Sequence, residues 1–354
     1  MKRIAYIDLI KVFAIFFVIL GHSIIWTGFP KQWVYSFHMP VFFALYGMTY
    51  NFERHESNGF LTINFVKNRF IRLMVPAIIW AIGYSIVSSF NDSTFHLSNL
   101  MKIAYFSQAS LRHAGSLSSI WFIPCMFLAV LLTELSFSFI YKIANKTGHT
   151  NRFVIFFILV LASITFVLPR ISRGYPWCVN LVPLATAMIL MGYLVRQTIE
   201  ATSKWCANHR LTLPSTFLLA FGTLFLISWL NWQFITGKNV DMATARFGNP
   251  LLYMIGAISG LVMLVALSKL ICPLRLNTTL AFIGANTYGI FLIHKPLIIK
   301  MGQILASKGH GNLLVAFFSA IVILFVSAVL TYIVDRIYPP LIGNKRKTTL
   351  KMVN

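Results

Sequence analysis

The sequence predicts an all-α, polytopic membrane bundle of about ten transmembrane helices with both termini cytoplasmic. Three observations carry this: a charge-poor composition, a series of apolar runs of near-spanning length, and a one-sided distribution of Lys and Arg. Of 354 residues, 58% are hydrophobic and 11% charged, and the mean hydropathy is +0.76. A soluble domain carries roughly a quarter of its residues as charges, so most of this surface must face something other than water. No stretch has a soluble domain's composition. One membrane domain over 1–338 with a basic cytoplasmic tail over 339–354 is expected.

A span needs about 20 apolar residues, and the runs lie at 7–26, 35–50, 73–90, 120–141, 153–169, 178–195, 214–235, 250–271, 278–301 and 312–335. Pro40 in the second run and Pro76 in the third predict kinks or partly broken helices. Segment 60–72 mixes apolar and basic residues at helical spacing, which predicts an amphipathic helix on the inner membrane surface. The longest outer loop, 91–119, is polar and contains His96, Arg112 and His113; a loop of that length is often functional. Met1-Lys2-Arg3 precedes the first run, but no small-x-small cleavage site follows it. An uncleaved first span is expected rather than a signal peptide.

Orientation comes from the loops. With the N-terminus inside, the inner segments hold nineteen cations, including Arg69, Arg72, Arg196 and Arg336, and the outer segments eight, among them Lys31, Lys102, Arg170, Arg173 and Arg246. That asymmetry is the positive-inside pattern. It also accounts for the net charge of +22 without nucleic acid, since no polar domain with clustered Lys and Arg is present. Four cysteines without a CxxC pair indicate neither a zinc site nor a disulfide framework.

Ionisable residues inside spans are expensive and usually functional. The first span carries Asp8, Lys11 and His22. Asp8 and Lys11 are neighbours on one helix face. Lys11 and His22 point the same way about 16 Å apart along the axis, so a polar stripe runs from the inner to the outer third. His38, opening the second span from outside, and His294, in the latter half of the ninth span, converge on the same outer depth. None of the eight acids falls in the outer half of a span. A Ser-His-Asp triad and a His-carboxylate metal site therefore lack their acid, and no metal is expected. A lone histidine acting as general base fits the inventory. On the inner side, Arg69 and Arg72 are three apart beside Lys67. Guanidinium forks suit phosphate, while anchoring to anionic lipid headgroups is an equal reading of the same residues.

The residues resemble the membrane acyltransferase-3 family, most closely its fucose 4-O-acetylase-like branch. The likeness rests on Ile7-Asp8-Leu9-Ile10-Lys11, Leu20-Gly21-His22-Ser23, Phe37-His38-Met39-Pro40, Arg69-Phe70-Ile71-Arg72, Trp121-Phe122-Ile123-Pro124 and Tyr288 to His294. It implies O-acetyl transfer from acetyl-CoA to a sugar hydroxyl of a cell-envelope glycan or lipid-linked saccharide, in the bacterial cytoplasmic (inner) membrane. Carried onto this chain, it implies a catalytic set of His22, as general base or transient acyl carrier, with Lys11 and Asp8 on the same helix. Arg69, Arg72 and Lys67 would take the nucleotide phosphates, and His38, His294 and Trp121 would line the substrate pocket. The soluble esterase-like domain that some members add is not expected, because about 16 residues follow position 338. The competing class is a transporter whose buried Asp8, Lys11 and histidines relay protons or bind solute. The missing internal repeat and the scarcity of buried carboxylates count against it. A scaffold without chemistry leaves the buried polar groups unexplained.

Overall fold

The computed structural model describes residues 4–23, 27–53, 59–92, 97–111, 115–147, 149–209, 211–235, 239–272, 278–307 and 312–344. Lys2, Arg3, Arg54, Glu56, His96, Arg112, His113, Arg210, Lys238, Arg275, Lys308, Lys345, Arg346, Lys347 and Lys351 lie outside them. Among the described residues the chain is helical, with no β-strand, and nine helices are long and apolar enough to cross a membrane.

In chain order the helices are α1 (Ala5–His22), the short α2 (Phe29–Tyr35) and α3 (His38–Met48), then α4 (Ile63–Arg69) and α5 (Val75–Asp92) joined through a π-turn at Phe70–Met74. Two short helices follow, α6 (Leu97–Tyr105) and α7 (Gln108–Leu111), and a 3₁₀ turn at Gly115–Ser119. The long helices resume with α8 (Phe122–Thr147), α9 (Thr150–Val167), α10 (Val182–Asn208), α11 (Thr212–Trp232) and α12 (Pro250–Ile271). The last are α13 (Thr278–Ala285), α14 (Thr287–Ser307) and α15 (Leu313–Ile337). The expected loop 91–119 is thus built largely of short helices.

Burial sorts the helices into centre and rim. In α10, 72% of the most apolar stretch is buried, against 17% in α11. α11 nevertheless exposes Leu218, Leu219, Phe225 and Trp229, as α9 exposes Phe156 and Leu159. Helices apolar all round whose outer faces meet no protein are suited to lipid. With nine such helices among the described residues, this is a multi-pass membrane protein.

The second expected span is the one that departs from a simple rod. It is the pair α2–α3, broken at Ser36–Phe37, where Phe37 leaves helical geometry (φ −138°, ψ −24°). Pro40 is not the cause. It sits in the first turn of α3, where its missing N–H would have had no helical partner. Buried polar groups brace the break instead: Ser36 Oγ donates to the Gln32 carbonyl (3.0 Å), and Ser228 Oγ on α11 donates to Ser36 Oγ (3.0 Å). After the break, Thr49–Glu53 meet Ile4, Ile7 and Asp8 at the start of α1, so the broken pair makes the return crossing.

The amphipathic segment expected as a separate surface helix over 60–72 is instead continuous with the third span. No breaker falls between Ile63 and Val75; Pro76 only widens the helix. A proline removes one donor and crowds the carbonyl four residues back, here that of Arg72, and the chain relaxes into the π-turn, with Val75 N–H bonded to the Phe70 carbonyl. The Leu73 carbonyl in this turn accepts from Tyr288 Oη (2.6 Å). The ninth span is likewise divided at Asn286, whose side chain donates back to the Phe282 carbonyl and accepts from Asn344.

α3 and α10 touch backbone to backbone. A Cβ on Gly47 would fall on the Ile189 carbonyl oxygen, and one on Gly192 on the Ala44 carbonyl oxygen. Small residues permit this approach in membrane bundles. Arg196 on α10 then donates to the C-terminal Met48 carbonyl of α3 (3.1 Å), a cation where the helix end is partially negative.

Candidate active site

Local breaks in the helices place the histidines. The break before α3 frees the Val34 carbonyl, and His38 Nδ1 donates to it (2.9 Å). In α14, Pro296 removes the donor that would bond the Leu292 carbonyl; Tyr84 Oη takes that oxygen (2.6 Å). One residue back, the Phe291 carbonyl accepts from His294 Nδ1 (2.6 Å). Because a carbonyl only accepts, both rings carry hydrogen on Nδ1, and when neutral each presents an Nε2 lone pair. The His294 Nε2 is buried without a hydrogen-bond partner among the described residues.

His22 ends α1 between these two rings, 6.2 Å from His38 and 5.9 Å from His294, centroid to centroid. His38 and His294 are buried, whereas His22 is half-buried. Among the described residues no hydrogen bond fixes the His22 ring, so it is the imidazole free to take a proton from an incoming molecule. Division of the ninth span corrects the placing of His294. It is the eighth of the 21 residues of α14, in that helix's first half rather than the latter half of a longer span. Trp121 is buried beside Phe122 (6.2 Å), which meets Phe291 (5.3 Å), which meets His294 (5.3 Å). It belongs to the wall behind the cluster. Among the described residues no group of three or more His, Cys, Asp or Glu is placed to hold a metal ion.

Sequence reasoning passed over two lysines. Lys31, counted only as a loop cation, donates to the Ser23 carbonyl immediately after His22 (3.0 Å) and lies 6.0 Å from the Tyr35 ring, which packs on His38 at 4.7 Å. Lys295, counted only as lying within a span, follows His294. The available signals were a cation beside an outer histidine and a Lys next to a His inside an apolar run.

Asp8 and Lys11 stand apart from this cluster, at the other end of α1. They pair at 3.5 Å and line a cavity of about 780 Å³ with Tyr50, Glu53, Arg196 and Glu200. Arg196 and Glu200 pair across one helical turn. Beneath the cavity, Tyr50 Oη donates to the buried Glu134 carboxylate (3.1 Å).

The expected single basic face of Arg69, Arg72 and Lys67 is divided. Lys67 and Arg69 are two residues apart, about 200° around a helix, and the π-turn shifts the phase again before Arg72. Arg69 turns to the bundle, donating to Tyr46 Oη (3.1 Å) and lying 5.2 Å over the Tyr46 ring and 5.1 Å over Phe65. Arg72 is exposed. Lys67 is exposed too, on an apolar surface groove with Ile63, Val66, Phe70 and Ile71.

The helix α1 thus carries a histidine cluster at one end and a charged cavity at the other. Residues 4–332 match the family model described as an acyltransferase domain (acyltransferase-3), and the chain belongs to that family. It is therefore a membrane acyltransferase, which decides between the transferase and transporter classes. It is also similar to the nodulation protein NolL of Sinorhizobium fredii (strain NBRC 101917 / NGR234), 22% identical over 333 residues, covering 85% of this chain and 81% of that protein. No solved structure matches the chain.

Proposed function

We propose that this protein is an O-acetyltransferase of the bacterial cytoplasmic membrane, moving an acetyl group from cytoplasmic acetyl-CoA to a sugar hydroxyl of a cell-envelope glycan or lipid-linked saccharide. The observation that carries the reading is the half-buried, untethered His22 between two buried histidines whose tautomers are set by backbone carbonyls. The inner excess of Lys and Arg supports a cytoplasmic Asp8 end and an outward His22 end.

On this reading Arg69, pre-positioned by Tyr46, meets the phosphates of the donor, with the exposed Arg72 and Lys67 toward lipid headgroups at the same surface. The pantetheine arm enters past Lys11 and Arg196 and carries the thioester toward His22. His22 Nε2 or Nδ1 takes the proton of the acceptor hydroxyl, and the oxygen forms a bond to the thioester carbonyl carbon. The resulting oxyanion is stabilised by a cation, a role this reading gives to Lys295. Collapse breaks the carbon–sulfur bond, and the thiolate recovers the proton from His22, giving the sugar ester and free CoA. Two barriers fall together: the proton moves to a positioned general base as the new bond forms, and the reactants are held rather than meeting by diffusion.

The test is acetyl transfer from labelled acetyl-CoA to envelope saccharide by the purified protein in lipid vesicles. The intact protein is expected to transfer label and His22→Ala to lose it. Full transfer by His22→Ala overturns the role of His22, and a tracer crossing the vesicle without acetylation overturns the reaction.

A further inference from the structure

Near the His22 end a second cavity, of about 540 Å³, is left unused by the chemistry above. It lies between α7, the segment 170–180 and the loop 243–246. Its polar lining includes Arg170 and Arg246 together with Gln108, Ser172, Tyr175, Asn180 and Thr244. The adjacent Asp241 carboxylate accepts from Ala243 N–H and Thr244 Oγ1 of its own loop and is not among the lining residues, so the two guanidinium groups favour an anion. Amides, hydroxyls and a phenol around them are the groups that bond sugar hydroxyls. Gln108 Oε1 is shut off from solvent and has no hydrogen-bond partner among the described residues, so it belongs to the wall behind the cavity surface.

The walls are held rigid by the backbone. All four described non-glycine residues with positive φ lie here: Cys178 and Ala245 in the lining, and Phe106 and Trp177 beside it. Such conformations persist only where the surroundings enforce them, and they gather at ligand sites. The enforcing bonds are visible. Ser107 Oγ donates to the Arg173 carbonyl (2.8 Å), Tyr105 Oη to the Gly174 carbonyl (2.9 Å) and Trp177 Nε1 to the Ala104 carbonyl (3.0 Å).

Each side of this cavity is one element from a histidine helix. Val240 N–H, three residues before the loop's lining residues, donates to Gln32 Oε1 (2.7 Å) on α2, which leads into His38. On the other side, the 3₁₀ turn Gly115–Ser119 packs against both α7 and the His294 helix α14.

Resting on the acetyltransferase reading, we propose that this cavity is the acceptor subsite and that it takes an acidic saccharide, its carboxylate or phosphate held between Arg170 and Arg246 while a neighbouring hydroxyl reaches His22. The cavity then selects acceptors by charge, a property separate from the transfer step.

The experiment measures binding to the purified full chain in detergent micelles, without acetyl-CoA. The probes are a galacturonate trisaccharide, its carboxyl-reduced neutral counterpart and a phosphorylated trisaccharide. The acidic probes are expected to bind about tenfold to a hundredfold more tightly than the neutral one. Arg170→Gln, whose side chain is exposed and which no hydrogen bond ties among the described residues, should erase that difference, and Ala243→Trp, filling the cavity, should weaken all three. Comparing the carboxylated and phosphorylated probes tells which anion the cavity takes. Equal binding of acidic and neutral probes, or an unaltered preference in Arg170→Gln, overturns the proposal. So does binding of phosphatidylglycerol with none of the saccharides. Acid-selective binding by a protein that transfers no acetyl group supports the subsite and removes only the reaction.

Discussion

At its His22 end α1 meets two further imidazoles and the charges of two lysines; at its Asp8 end it meets a cavity in which acids and bases are already paired. The two sets lie on one helix, about 16 Å apart, yet their states differ. At the Asp8 end the charges satisfy one another, Asp8 with Lys11 and Arg196 with Glu200, as fits a place that binds and lets go. At the other end the His294 Nε2 has no partner among the described residues and His22 is untethered, as fits a place where a proton moves. The difference separates holding from reacting, and it can be broken one end at a time.

The largest effect belongs to the reacting end. His22→Ala is expected to lower kcat for acetyl transfer by roughly 10² to 10⁴, the usual worth of a positioned general base, while KM for acetyl-CoA stays near its original value. A loss that appears in KM with kcat preserved would move His22 from the reaction to donor binding and erase the contrast between the ends.

The next effect tests the frame that sets the two ends. At Gly192 a side chain meets the Ala44 carbonyl, a backbone atom that cannot step aside. Gly192→Leu is expected to part α10 from α3, at a cost of about 1–3 kcal/mol or more, read as a lower melting temperature in detergent. Movement of α10 also withdraws Arg196 from the Met48 carbonyl, so acetyl-CoA affinity should fall in whatever protein remains folded. Unchanged melting would show that the close approach of these helices is not structural.

The paired charges come third. Asp8 is nearly buried and Lys11 partly exposed, with side chains 6% and 28% accessible. Removing one partner of a buried pair costs more than removing both. Asp8→Asn alone is expected to weaken acetyl-CoA binding and stability more than Asp8→Asn combined with Lys11→Met does. Strictly additive losses in the double-mutant cycle would show that the two do not act as a pair.

Much of this was legible in the sequence, for reasons that particular residues make clear. The eighth run, 250–271, coincides with α12, because Asn249 caps the helix and Pro250 opens it, both strong local signals. The convergence of His22, His38 and His294 followed from depth alone, since the bilayer fixes how far along each span a residue lies. What escaped was whatever tertiary contact decides. The break at Ser36–Phe37 is braced by Ser228, 192 residues away, while the nearer proline misdirects. The split of Lys67 from Arg69 was open to helix geometry, but the π-turn that holds Arg72 is steadied by Tyr288, whose Oη donates to the Leu73 carbonyl from 215 residues away. The cavity at Arg170 and Arg246 joins segments about 70 residues apart, and no periodicity brings them together.

The smallest expected effect sharpens the comparison most, because it touches only the holding end and leaves nearly everything in place. Tyr46→Phe removes the hydroxyl that accepts from Arg69 Nη2 but keeps the ring under the guanidinium. The loss is that of one charge-assisted hydrogen bond in a half-buried site, while the cation–π contact persists. KM for acetyl-CoA should rise by roughly two- to tenfold, corresponding to about 0.5–1.5 kcal/mol, with kcat unchanged. Tyr46→Leu, which removes ring and hydroxyl together, should raise it further. If neither change moves KM, Arg69 is held by Phe65 alone or does not meet the donor. If kcat falls instead, the arginine acts in the reaction, and the division of labour along α1 must be redrawn to include the π-turn.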